Sequence, residues 1–187
     1  MKKTLLFYVL IALVAVSCRA DDVRYKNYSL GLAVILETSG SGQISILIDK
    51  SDYKLTVVID TVIIKEYPAV FGKNPLDDKL RQGDRCTPEG TFKVVSKYPH
   101  DKWSKFILIN YPTDDSWHKH YTAKNEARIS GNSKIGGEIG IHGVPNDMDK
   151  LIDLHVNWTL GCVSMKNRDI DELYPFISGS TMIVIRK

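Results

Sequence analysis

From Gln43 onward the sequence reads with a period of two. Ile44, Ile46 and Ile48 alternate with Ser45, Leu47 and Asp49, and the β-rich run 55–59 follows the turn-like Asp49-Lys50-Ser51-Asp52. Successive side chains of a strand point to opposite faces, so this pattern spells a hairpin. Residues 62–64 and 67–71 continue the meander, and Pro68, which has no N–H to give a ladder, belongs at an edge or a strand start. Further strands are expected at 91–96, 106–110, 139–143 and 181–186. The expected class is mostly β with short helices, in a single β-rich, sandwich-like domain over residues 43–187. Its size suits one core and is too small for two ordinary domains.

Ahead of that domain stands an export segment, residues 1–20: Lys2 and Lys3, an apolar run over 5–16, then Ser17 and Cys18. The run is shorter than the roughly 20 apolar residues a membrane-spanning helix needs. Ala15-Val16-Ser17-Cys18 resembles a bacterial lipobox, which would make Cys18 the lipid-anchored first residue of the mature chain, and cleavage after Ala20 is the competing reading. Either one exports the protein to a bacterial envelope or periplasm, with membrane contact only through a lipid anchor. Residues 21–42 form a polar lead-in with an apolar patch and the linker-like Ser39-Gly40-Ser41-Gly42. The formal charge is +3, of which Lys2 and Lys3 supply two. With mixed signs and no basic cluster, no nucleic-acid partner is expected.

Two helices can be placed from their patterns. Asn146 or Asp147 can cap a short one with Met148, Leu151, Ile152 and His155 on one face, which makes His155 a half-buried packing residue. Asn167 can cap another through Ile177, with Ile170, Leu173, Tyr174 and Ile177 buried. Residues 111–134 carry Trp117, His118, His120 and Tyr121 without a convincing period. A connection of that length suits a lid or one wall of a cleft. His118 and His120 read as solvated histidines, since no third ligand lies at metal spacing; neither a metal nor another cofactor is expected.

Setting Cys18 aside leaves Cys86 and Cys162. In an exported chain they could form a structural disulfide, remain free, or include a nucleophile. Cys86 sits in a shaped loop before Pro88 and Gly90 and reads as a small loop residue. Cys162 follows a glycine in an apolar run, and His142 stands in a Gly-flanked strand end. A thiol attacks carbonyls as the thiolate, and a histidine in reach can take its proton and return it to a leaving amine.

The local patterns around these two residues go further. His142-Gly143, with Thr159 sixteen positions beyond the glycine and then Leu160-Gly161-Cys162-Val163, resembles the signature of the L,D-transpeptidase catalytic domain, the YkuD-type fold, in its murein-crosslinking branch. Gly83-Asp84 followed by Thr87-Pro88-Glu89-Gly90-Thr91-Phe92 is similar to another segment of that family, and Tyr111-Pro112 and residues 167–174 also match. The resemblance implies Cys162 as nucleophile, His142 as general base and acid, the Gly143 backbone carbonyl orienting His142, and backbone amides around Gly161 and Cys162 as oxyanion donors. Trp158, Thr159, Ser164 and Tyr111 would contact substrate. Leu160 stands where many members have His, and Ser164 where many have Arg or Asn.

The implied reaction is attack by Cys162 on a peptidoglycan stem tetrapeptide, loss of D-alanine, and transfer of the thioacyl group to an amine of another stem peptide or of an envelope protein. Water as the acceptor would make the same site an L,D-carboxypeptidase or a hydrolase releasing a wall-linked protein. The rival from another class is a wall-binding envelope lipoprotein that keeps the fold without turnover.

Overall fold

The computed structural model describes residues 31–39 and 42–187. The export segment, Cys18 included, lies outside the described residues. Strands β1 (Ile44–Asp49) and β2 (Lys54–Ile59) form the expected hairpin, in register Ile46↔Val57 and Ile48↔Leu55. That register puts all four side chains on one buried face. β3 (Val62–Pro68) is one continuous strand rather than two pieces, and it lies at the edge of the sheet. Pro68 is its last residue, where a missing N–H breaks no central ladder.

β4 (Gly90–His100) is almost twice the expected length because it belongs to two halves of the sheet. Its start pairs with β8 (Met182–Arg186), which also runs parallel to β1 with Ile183 and Ile185 opposite Ile46 and Ile48. After an irregularity between Val94 and Ser96 its remainder pairs with β5 (Ser104–Ile109). A bulge bends a strand and increases its twist. β5 then pairs with β6 (Gly140–His142), and β6 runs parallel to β7 (Val163–Ser164). Among the described residues the order is β3-β2-β1-β8-β4-β5-β6-β7. Ile46, Ile48, Leu55 and Ile183 from one half share a single core with Ile107, Ile109, Ile141 and Val163 from the other. The sandwich-like expectation is therefore met by one mostly antiparallel sheet folded over through β4.

The helices depart more from expectation. The apolar lead-in patch forms α1 (Leu32–Ser39), anchored where the Leu32 N–H donates to Glu172 at 2.6 Å. Within the patternless stretch lies α2 (Asp114–Asn125), N-capped by Thr113, whose hydroxyl accepts the Ser116 N–H. Its buried positions are Ser116, His120 and Ala123, a helical spacing filled with polar and small residues, which leaves no apolar period to read. His120 is thus buried rather than solvated, its Nδ1 2.6 Å from the Leu80 carbonyl oxygen, whereas His118 is exposed as expected. The expected helix near Met148 shrinks to α3 (Lys150–Asp153), with only Ile152 buried. His155 falls beyond it, exposed, at φ +51° and stacked on Tyr53 at 4.4 Å.

The last helix, α4 (Asn167–Leu173), yields to a 3-10 turn at Tyr174–Phe176, where Pro175 can give no helical N–H. Asn167 does not cap it. Its N–H is capped by Asp149 at 3.1 Å, and its own side chain accepts the Val144 N–H at 3.0 Å, beside the histidine strand.

Candidate active site

Three backbone segments meet behind Cys162. Phe71 O and Lys73 N bond to Thr159 N and O, and Asn74 N donates to Arg85 O at 3.0 Å. The buried Thr87 hydroxyl accepts the Gly72 N–H at 3.0 Å. Gly161 lies so close to the middle segment that a Cβ would stand 2.8 Å from the Cys86 carbonyl oxygen, and its φ is +141°. Only glycine fits both conditions. The Gly-Asp…Thr-Pro-Glu-Gly segment is therefore the back wall of the cysteine turn.

Asp84 shapes that wall. Its carboxylate accepts from Lys79 Nζ, Leu80 N and Arg81 N, each at 2.8 Å, and from Cys86 N at 3.1 Å. These donors hold its pKa below the usual carboxylate value against the effect of burial. Cys86 is buried, its thiol donates to Asp84 O at 3.5 Å, and burial together with the charges of Asp84 and Asp77 pushes its pKa to about 11. Neither Cys86 nor Cys162 is disulfide-bonded among the described residues, which removes the reading of a Cys86–Cys162 bridge.

In the turn itself, the Thr159 hydroxyl donates to Cys162 O at 2.7 Å and accepts the Gly161 N–H at 3.2 Å. Thr159 is buried, so it locks the turn and faces no open cleft. The Gly161 amide is correspondingly committed and does not point free into the site, unlike the expected oxyanion donor.

His142 ends β6, opposite Ser164 of β7, while Ile141 lies opposite Val163. Extending that register one step places Cys162 opposite Gly140. Residues two apart on a strand share a face, so on that extended register Cys162 falls on the face of the pair that carries His142. The Nδ1 atom of His142 is 2.6 Å from the Gly143 carbonyl oxygen. A carbonyl can only accept, so Nδ1 carries the proton and Nε2 is left as the basic nitrogen. Gly143 is held in turn, its N–H donating to Trp103 O at 3.0 Å. Around the ring stand Trp103 and Phe106, stacked at 4.4 and 5.7 Å, and Trp158, edge-on at 5.5 Å. That apolar enclosure pushes the His142 pKa down to about 4, with nearby His100 acting in the same sense and the Gly143 bond opposing.

The thiol of Cys162 rests against the strand entering β6, donating to Glu138 O at 3.6 Å. Its pKa is pushed to about 11 by burial first, with the Gly140 N–H and Lys79 opposing and the Glu138 charge reinforcing. At neutral pH the resting pair is thus a neutral thiol and a neutral imidazole.

Other residues expected at the substrate are placed differently. Tyr111 is a core residue, its ring 6.4 Å from Phe92 and its hydroxyl donating to Ile135 O at 3.4 Å. Ser164 is wholly buried and its hydroxyl donates to Gly143 O at 3.0 Å, so it supports the histidine and cannot touch a ligand. Trp158 packs edge-on against His142, and its buried Nε1 has no hydrogen-bond partner among the described residues. Leu160 is 72 % exposed at the mouth. Trp103 and Glu138 went unnoticed in the sequence: each touches the pair across the sheet, and nothing in local spacing announces it. A cavity of about 660 Å³ opens between α2 and the Asp84 loop, bordered by Asp78, His118, Lys119 and Cys86, and neither His142 nor Cys162 lines it.

Comparison with known proteins gives a match to a family model, the L,D-transpeptidase catalytic domain, over residues 43–185. No curated protein matches. Among solved structures, Bd1075 of Bdellovibrio bacteriovorus is similar at 25 % identity and TM-score 0.56, covering 80 % of this chain and 50 % of its own. The helical cell shape determining protein Pgp2 of Campylobacter jejuni aligns at 20 % identity and TM-score 0.57, covering 83 % and 54 %. L,D-transpeptidase 3 of Mycobacterium tuberculosis, in complex with a faropenem-derived adduct, aligns at 13 % and TM-score 0.53, covering 79 % and 61 %. At these lower identities the last two share the fold, and this chain spans only about half the length of the first two.

Proposed function

The chain belongs to the L,D-transpeptidase catalytic domain family, and we propose that it is a cysteine-dependent L,D-transpeptidase acting on peptidoglycan stem peptides. The observation that carries this reading is the parallel register of β6 and β7, which sets His142 opposite Ser164, two residues from Cys162, with the His142 Nδ1 held by Gly143 O at 2.6 Å. Nε2 is the one imidazole nitrogen free to take the thiol proton. Cys162 then attacks the carbonyl of the diamino acid in a stem tetrapeptide, and the imidazolium returns the proton to the departing D-alanine amine.

The two neutral resting groups make ion-pair formation unfavourable before substrate arrives, so proton transfer accompanies attack. With the Gly161 amide committed to Thr159, the Cys162 N–H is the oxyanion donor we assign, worth about 10²-fold in rate when preorganised. An amine of a second stem peptide or of an envelope protein resolves the thioester. The work would take place in a bacterial envelope or periplasm, reached through the segment 1–20 and an anchor at Cys18.

Incubation of the reduced protein with tetrapeptide muropeptides, followed by mass spectrometry of the products, tests the reading. Stems joined with loss of D-alanine support transpeptidation, and stems only shortened by D-alanine assign hydrolysis at the same site. Unchanged muropeptides would leave a non-catalytic wall-binding protein.

A further inference from the structure

We propose that Glu138 selects the acyl acceptor, its carboxylate drawing a cationic amine to the Cys162 thioester and so favouring transfer over hydrolysis. This rests on Cys162 being the acyl-forming nucleophile. Glu138 stands two residues before β6, and its carbonyl oxygen is the acceptor of the Cys162 thiol at 3.6 Å. The Glu138 backbone thus touches the reacting sulfur, and its side chain is exposed.

The backbone there is not one a glutamate favours. Its φ is +57°, left-handed, after Gly136 and Gly137. Glycine would take that conformation without strain and asparagine with little, so backbone geometry does not account for the residue. Strain held beside a reacting atom points to a use for the side chain.

Nor does ion pairing account for it, because none of the ion pairs among the described residues includes Glu138. Its charge even works against the first half-reaction by disfavouring the thiolate. In the second half-reaction the sulfur is an uncharged thioester and the acceptor arrives as an ammonium ion. There the same charge attracts. The ammonium gives one proton to solvent, the free amine attacks the carbonyl carbon, and the carbon–sulfur bond breaks. The second amine proton passes through His142 to the Cys162 sulfur, leaving an amide and a thiol. Water carries no charge and gains nothing from Glu138, so the carboxylate raises the amine's local concentration alone.

The test is the ratio of crosslinked to merely shortened stems formed from tetrapeptide muropeptides with a free side-chain amine. The ratio reads only the fate of the acyl enzyme, so differences in acylation rate cancel. Glu138→Gln should lower it about 1.4- to fivefold, the range for an exposed ion pair, while Glu138→Asp keeps most of it. In the unaltered protein the ratio should fall as salt rises from about 0.05 to about 0.5 M, and in the Gln variant it should stay flat. Equal ratios with equal salt dependence, on protein that still acylates at Cys162, overturn the acceptor assignment alone. Shortened stems only, from the unaltered protein, overturn it as well. Absence of any acyl enzyme at Cys162 overturns the catalytic reading and this inference together.

Discussion

The Nδ1 atom of His142 lies 2.6 Å from the carbonyl oxygen of Gly143, the residue that follows it. The buried Ser164 hydroxyl reaches that same oxygen from the neighbouring strand at 3.0 Å. Both lone pairs of the carbonyl are thereby occupied, and the imidazole is fixed with Nε2 as its basic nitrogen. Replacing Ser164 by alanine leaves a buried acceptor short of one donor, at about 1 kcal/mol. We expect Ser164→Ala to slow formation of a carbapenem adduct at Cys162 about three- to tenfold. Ser164→Thr, which keeps the hydroxyl, should recover most of the rate, measured by intact-protein mass spectrometry against time.

Burial of His142 also ties stability to pH. Its pKa is pushed down from 6.5 to about 4, so between those values the unfolded chain binds a proton that the folded one does not. The contribution is complete above pH 6.5 and is lost as pH falls toward 4, by roughly 3 kcal/mol over the window. Urea unfolding at pH 7.0 and pH 4.5 should show the loss, and His142→Gln should reduce the difference. An equal difference in both proteins would place its origin in other groups.

Asp84 carries the largest single stability effect we expect. Its carboxylate pairs with Lys79, whose side chain is 4 % exposed, and accepts three backbone N–H groups as well. Asp84→Ala strands that buried ammonium, and removal of one partner from a buried pair costs about 3–5 kcal/mol. The urea midpoint should drop accordingly, and the Lys79→Met, Asp84→Ala double variant should be less destabilised than the single one.

At Gly161 the prediction separates turn geometry from charge. Alanine there meets the Cys86 carbonyl oxygen at 2.8 Å and must also adopt φ +141°. Gly161→Ala should displace the cysteine turn and lower adduct formation at Cys162 by more than about tenfold, as a misplacement near 1 Å does. Far-ultraviolet circular dichroism should stay β-rich, because β6 and β7 do not depend on that residue.

How far these features could be read in advance depended on where the constraint lay. The period of two in Ile44, Ile46 and Ile48 was enough for the hairpin, since one buried face dictates alternation, and the short motifs around His142 and Cys162 were enough for the family. Helix α2 was illegible because Ser116, His120 and Ala123 make its buried face without an apolar residue larger than alanine. The family resemblance alone implies substrate contacts for Tyr111 and Ser164. In the fold Tyr111 turns into the core, and Ser164 is covered by the antiparallel bridge that Val70 makes with it. Trp103 and Glu138 approach the pair only through strand pairing and chain entry, which no local window contains.

Whether Cys162 carries the acyl group can be read from the mass of the protein itself. Reduced, folded protein incubated briefly with a stem tetrapeptide and quenched in acid should gain the mass of the donor minus D-alanine. Peptide mapping should place that gain on Cys162, and Cys162→Ala should show none. A protein that gains no such mass, or gains it on Cys86, would exclude Cys162 as the nucleophile.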